Sequence, residues 1–211
     1  MGVFTQKQAA YTPRLDGTAP QSTLVGSSGP ELAGNPDEWR IELRRLPIGH
    51  RGHAVLVMLG PNGEMKELNG IAKSRNTDEL TGFGRDGMWL YAHDGPRYAA
   101  GSEPMAVVAS GSYDKINGLW GRGLRAAAEI NQKNYDYKGH DPAYEFGGSG
   151  GEIQNSNSVA FTLGKAMGLD LDSAIRRARM ERTFSGWGRD LLDRSYKPYV
   201  APPQFAVRDT P

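Results

Sequence analysis

Apolar positions along the chain change their period about halfway. Residues 53–59 (His-Ala-Val-Leu-Val-Met-Leu) are apolar on both faces, Gly60-Pro61-Asn62-Gly63 turns the chain, and residues 64–72 alternate. An Asn-Gly turn between two such runs predicts a β-hairpin with a central first strand and a more exposed second one. Residues 41–46, 88–93 and 105–109 are further short strand candidates, with 73–87 a loop of glycines and charges. From 115 onward the recurrence is three and four. Ile116, Leu119, Trp120, Leu124, Ala127, Ala128 and Ile130 share a helical face running to about Asn131, weakened by Gly118, Gly121 and Gly123. A second helix starts at a cap on Asn155 or Ser156, carries Val159, Ala160, Leu163, Ala166 and Met167 on one face, and stops at Gly168. A third covers about 173–181, capped by Asp172 or Ser173. Strands first and helices afterwards predict an α+β fold, a small, mostly antiparallel sheet with helices packed on one face.

The ends read differently. Residues 1–38 are rich in Gly, Pro, Ser and Thr and predict an arm with little regular structure, while prolines make 196–211 an extended tail; 39–195 is one domain. Charge is balanced, 25 basic against 24 acidic residues for a net +1, with no block of one sign, so neither nucleic acid nor an anionic membrane is an expected partner. No apolar run approaches the ~20 residues of a membrane-spanning helix. The first residues lack a charged-then-apolar signal, so the expectation is a chain cytoplasmic as synthesised, or exported without a classical signal peptide. The absence of cysteine removes disulfides, thiolate metal sites and a thiol nucleophile. Nothing in the sequence speaks to oligomeric state.

Candidate chemistry gathers at the second helix. Ser156 would hold its hydroxyl at the positive end of a packed helix, where unpartnered N–H groups stabilise developing negative charge. Residue type alone favours a plain cap, and Ser158 is a rival hydroxyl two residues deeper. Of four histidines, His50, His53, His93 and His140, His53 opens the central strand. Pairing across the Asn-Gly turn brings Asn69 and Ile71 near it, and alternation lets Asn69 share its face. An imidazole held by an amide oxygen and facing a hydroxyl at a helix start is the nucleophile, base and orienter arrangement of acyl transfer. Gly147-Gly148-Ser149-Gly150-Gly151 matches a nucleophile elbow, but 141–146 makes a poor strand and no histidine follows, so it reads as a glycine loop. His50-x-x-His53 without a third ligand is a poor metal signal, and no cofactor or metal is expected. Arg176, Arg177, Arg179 and Arg182 form a basic face of the ordinary solvated kind.

These pieces resemble a family. Gly52-His53-Ala-Val-Leu-Val, followed about a hundred residues later by Asn155-Ser156-Asn157-Ser158-Val-Ala-Phe-Thr-Leu, looks like the circularly permuted papain-like fold. That group includes peptidoglycan-amidase-like peptidases, deubiquitinating-type isopeptidases and lecithin-retinol acyltransferase-like enzymes, and its nucleophile box often reads Asn-Cys-Asn-x-Phe. Residues 67–75 and 128–137 also look like uncharacterised bacterial proteins sharing that box, and the resemblance spans roughly 40–170. It implies Ser156 in the nucleophile's place, His53 in the base's, Asn69 as orienter, and Gln154 or the Ser156 backbone N–H for the oxyanion. The implied substrate is a peptide or other amide, with the aromatic loop 135–146 placed to line a cleft, and an exported bacterial effector is among the implied settings. The family's cysteine is serine here. A thiol is deprotonated beforehand by an imidazolium and a helix end, whereas a hydroxyl must lose its proton as it attacks, which demands tighter base geometry. The alternatives are a serine hydrolase, a fold relative that binds or delivers without catalysing, and a chain whose cysteine was replaced by design.

Overall fold

The computed structural model describes residues 37–49, 51–82, 84–139, 141, 153–180 and 183–203. The arm over 1–36, the glycine loop 147–151, residues 142–146 of the aromatic loop, His50, His140, Arg182 and the last part of the tail lie outside them. Six strands form one antiparallel sheet: β1 Trp39–Ile48, β2 Arg51–Leu59, β3 Met65–Lys73, β4 Leu80–Thr81, β5 Trp89–Asp94 and β6 Glu103–Gly111. Their order is β4-β3-β2-β1-β6, with β5 on β3. Among the described residues three α-helices follow: α1 Tyr113–Lys133, α2 Ser156–Met167 and α3 Leu171–Arg177. The α+β architecture expected from the hydrophobic periods is the one observed. No helix among the described residues is long and apolar enough to cross a membrane.

Alternation along each strand sorts the sheet into two faces. Ile41 and Leu43 of β1, Ala54, Leu56 and Met58 of β2, Leu68 and Ala72 of β3 and Leu90 and Ala92 of β5 join the helices in one core with Ile116, Trp120, Ile130, Val159, Leu163 and Met167. Each fully buried aliphatic side chain there contributes roughly 1.5–3 kcal/mol, more than the ~1 kcal/mol that each helix glycine costs. That explains why α1 tolerates its glycines. A Cβ at Gly123 would displace the end of the Met167 side chain and press on Leu68, so this glycine eases the packing of α1 on α2. Val55, Val57 and Ala99 form a second, smaller cluster on the opposite face.

Three expectations need correction. The second hairpin strand is not the exposed one: Glu67 to Ile71 of β3 are buried, because β3 is paired along both edges and its polar face is covered. The 73–87 loop contains a two-residue strand, Leu80–Thr81, too short to leave a period. α3 begins earlier than 173 and ends at Arg177; its cap is Asp170, whose side chain accepts from Ser173 N at 3.0 Å.

The edge pairing of β3 creates the site. β5 pairs with Leu68 to Lys73 on one edge. On the other, β2 pairs only as far as Val55 opposite Asn69, and β4 takes over at Ala72 opposite Thr81. Gly70 and Ile71 are left in the gap where β2 and β4 diverge, and the start of α2 seats there. A Cβ at Gly70 would come 2.5 Å from Ser156 Cα and 2.6 Å from its carbonyl oxygen, so no other residue allows this approach.

Candidate active site

Four consecutive polar residues open α2, and structure consumes three of them. Asn155 is the N-cap, its side chain accepting from Asn157 N at 2.9 Å and Ser158 N at 3.4 Å. Ser158 completes the capping box by accepting from Asn155 N at 3.3 Å, and donates to Gly186 O at 2.9 Å. This rival hydroxyl is therefore a structural one. Asn157 bolts the helix to β2: Oδ1 accepts from Ala54 N at 2.9 Å, and Nδ2 donates to Gly52 O at 3.1 Å and Ser185 O at 3.0 Å. Those contacts grip the chain on both sides of His53.

Ser156 is left over. Its Oγ lies 2.9 Å from His53 Nδ1, joining residues 103 apart in sequence. Both side chains are buried, Ser156 at 7% and His53 at 6% exposed, and both line a cavity of about 450 Å³ with Gly70, Ile71, Tyr98 and Tyr137. Tyr98 packs edge-on against the imidazole, with ring centroids 4.8 Å apart. Burial pushes the His53 pKa down from its ordinary 6.5 to about 4, with Asn69 pulling weakly the other way. At neutral pH the ring is uncharged, the state a proton acceptor needs.

Asn69 stands where alternation from Val55 opposite Asn69 puts it, on the His53 face and fully buried. Its amide favours the protonated ring, an effect that comes from the acceptor oxygen. Yet Asn69 Oδ1 and His53 Nε2 both lack a formed hydrogen bond among the described residues. Asn69 and His53 are thus neighbours on one face of the sheet with no formed hydrogen bond between them.

Gln154 does not join this group. Its Nε2 donates to Asp136 O at 2.5 Å and Tyr199 O at 3.3 Å, and its Oε1 accepts from Tyr196 OH at 2.6 Å and Tyr199 N at 3.2 Å. With both ends of the amide engaged, it has no donor for an oxyanion. It ties the first part of the Pro-rich tail to the domain instead, alongside Asp136, which accepts from Ala201 N at 2.6 Å.

Two residues that sequence reasoning did not single out do reach the site. The Tyr137 phenol is buried; burial raises its pKa, and the neighbouring Ser156 side chain and backbone N–H partly offset this. The phenol stays protonated at neutral pH and sits at the start of α2. Its place in the aromatic loop beside the helix was the available signal. Glu67 is 1% exposed, and its Oε1 accepts from Asn69 Nδ2 at 2.6 Å. The same carboxylate accepts from Arg97 N at 2.9 Å, Tyr98 N at 2.9 and 3.0 Å and Ala99 N at 2.8 Å. The signal for Glu67 was its i, i+2 relation to Asn69, hidden by taking β3 as an exposed strand.

Among the described residues, no group of three or more His, Asp or Glu side chains could hold a metal ion. Comparison with protein-family models found no match, and neither did searches of curated proteins and of solved structures.

Proposed function

We propose that this chain hydrolyses amide or peptide bonds in the manner of a permuted papain-like enzyme, with Ser156 as nucleophile and His53 as general base. The observation that carries the reading is the 2.9 Å approach of Ser156 Oγ to His53 Nδ1 at a helix N-terminus that opens into a cavity. Ser156 Oγ attacks the carbonyl carbon while His53 Nδ1 takes the hydroxyl proton. The carbonyl oxygen becomes an oxyanion, met by the Tyr137 hydroxyl, whose own oxygen the Ser156 backbone N–H supports, in the role that Gln154 does not fill. Collapse of the tetrahedral species breaks the C–N bond, and His53 returns the proton to the departing amine. Water then attacks the acyl carbonyl while His53 takes its proton, and collapse breaks the ester C–O bond as His53 passes that proton to Ser156 Oγ, freeing the acid.

A buried, neutral imidazole suits a hydroxyl nucleophile. A thiolate–imidazolium pair would need the charged ring that this burial opposes. The second reading, a papain-like-fold module that binds without turnover, draws on the low exposure of Ser156. A serine-directed fluorophosphonate probe separates the two. Labelling of the native chain that is lost in both Ser156→Ala and His53→Ala marks an activated hydroxyl; no labelling of the native chain leaves the binding module as the better reading.

A further inference from the structure

The three backbone N–H groups of Arg97, Tyr98 and Ala99 open a 3₁₀ turn, Ala99–Gly101, and converge on one carboxylate. Such a nest binds anions, and here the chain fills it with its own Glu67. Those donors would suffice for a purely structural carboxylate. The fourth donor is Asn69 Nδ2, at 2.6 Å, on the residue beside His53. All the groups around the carboxyl donate, which leaves it in the accepting role. It therefore fixes which end of the Asn69 amide points where.

We propose that Glu67 is a positioning residue: by accepting from Asn69 Nδ2 it turns Asn69 Oδ1 toward His53 Nε2, keeps the ring proton on Nε2, and leaves the Nδ1 lone pair for the Ser156 hydroxyl. This rests on the hydrolase reading for its purpose, but the geometry is independent of it. Neutral imidazole carries one proton, and an acceptor beside one nitrogen holds it there. The two orphaned atoms, His53 Nε2 and Asn69 Oδ1, are the donor and acceptor this tautomer supplies. The same nest anchors Tyr98, whose ring covers the imidazole, so one carboxylate sets the proton and holds the cover.

Replacing Glu67 by glutamine makes a sharp test. The glutamine oxygen must face the backbone N–H groups, which presents its NH₂ to Asn69. The Asn69 amide then turns over, offers its own NH₂ to Nε2, and drives the ring proton to Nδ1. The full chain, ¹⁵N-labelled, is examined at pH 7 by two-bond ¹H–¹⁵N couplings of the imidazoles, with His53→Gln used to assign the signal. The native protein is expected with its proton on Nε2 and Glu67→Gln with it on Nδ1, accompanied by a fall in kcat or probe-labelling rate of ~10³-fold or more at little changed KM. Asn69→Ala, which leaves the nest filled, is expected to give a mixture of tautomers. A native ring protonated on Nδ1, or one tautomer unaltered in both variants, overturns the proposal. The expected tautomers in a protein that neither hydrolyses nor takes the probe would sink the hydrolase reading and leave the positioning role standing.

Discussion

Two buried polar clusters meet at Ser156, and they differ in how completely they are satisfied. The one at the start of α2 binds Asn155, Asn157 and Ser158 to each other, to β2 and to Ser185 and Gly186. The one on β3 links Glu67, Asn69 and His53 and leaves a ring nitrogen and an amide oxygen without a formed bond. A buried polar group without a partner costs about 1–3 kcal/mol, a cost the second cluster carries and the first does not. The first cluster holds the structure together; on the proposed hydrolase reading, the second holds a reagent in readiness. Ser156 and Ser158, two residues apart on one helix, fall on opposite sides of that division.

Substitutions across the boundary should separate activity from stability. Ser156→Ala or His53→Ala is expected to lower hydrolysis by roughly 10⁴-fold or more with a thermal midpoint near that of the native chain, read by turnover and calorimetry. The reverse pattern is expected of Asn157→Ala. It strands Ala54 N, Gly52 O and Ser185 O, costs about 2–4 kcal/mol in urea unfolding, and lowers activity only as far as His53 shifts. Should Ser158→Ala abolish probe labelling while Ser156→Ala spares it, the assignment of the two serines is inverted.

The incompletely bonded cluster also has a pH signature. The unfolded chain takes a proton on His53 near 6.5, whereas the folded chain resists until about 4. Between those values the unfolded state binds more protons, so stability is full above 6.5 and falls as pH drops toward 4, by about 3 kcal/mol in total. Urea midpoints measured from pH 7 to pH 4 should show this slope, and His53→Gln should flatten it. Ser156→Cys is expected to move stability least. Its informative readout is alkylation at neutral pH, where unusually fast labelling marks an activated position and ordinary slow labelling marks a binding module.

Much of this was legible because it rests on period and pairing. The switch from strand to helical spacing gave the α+β order, and the Asn-Gly turn set the register that puts Val55 opposite Asn69 and so Asn69 beside His53. What stayed hidden depended on where segments go after they leave their strands. Glu67 lay on a strand expected to be the more exposed one, and nothing local announces the nest at Arg97 to Ala99. Gln154, adjacent to the α2 cap, read as a site residue because its bonds go to Tyr196 and Tyr199, some forty positions on. Gly70 looked like any glycine in a strand until a helix was set against it.

The span of 103 positions between imidazole and alcohol has a consequence for how this molecule comes alive. Contacts that close so long a stretch of polymer form late, after the entropy of gathering it has been overcome. A partly folded chain with its hairpin made and its second helix adrift would own every ingredient and no chemistry. On the proposed reading, reactivity is thus a certificate of completed folding, since it needs β2 and α2 docked together.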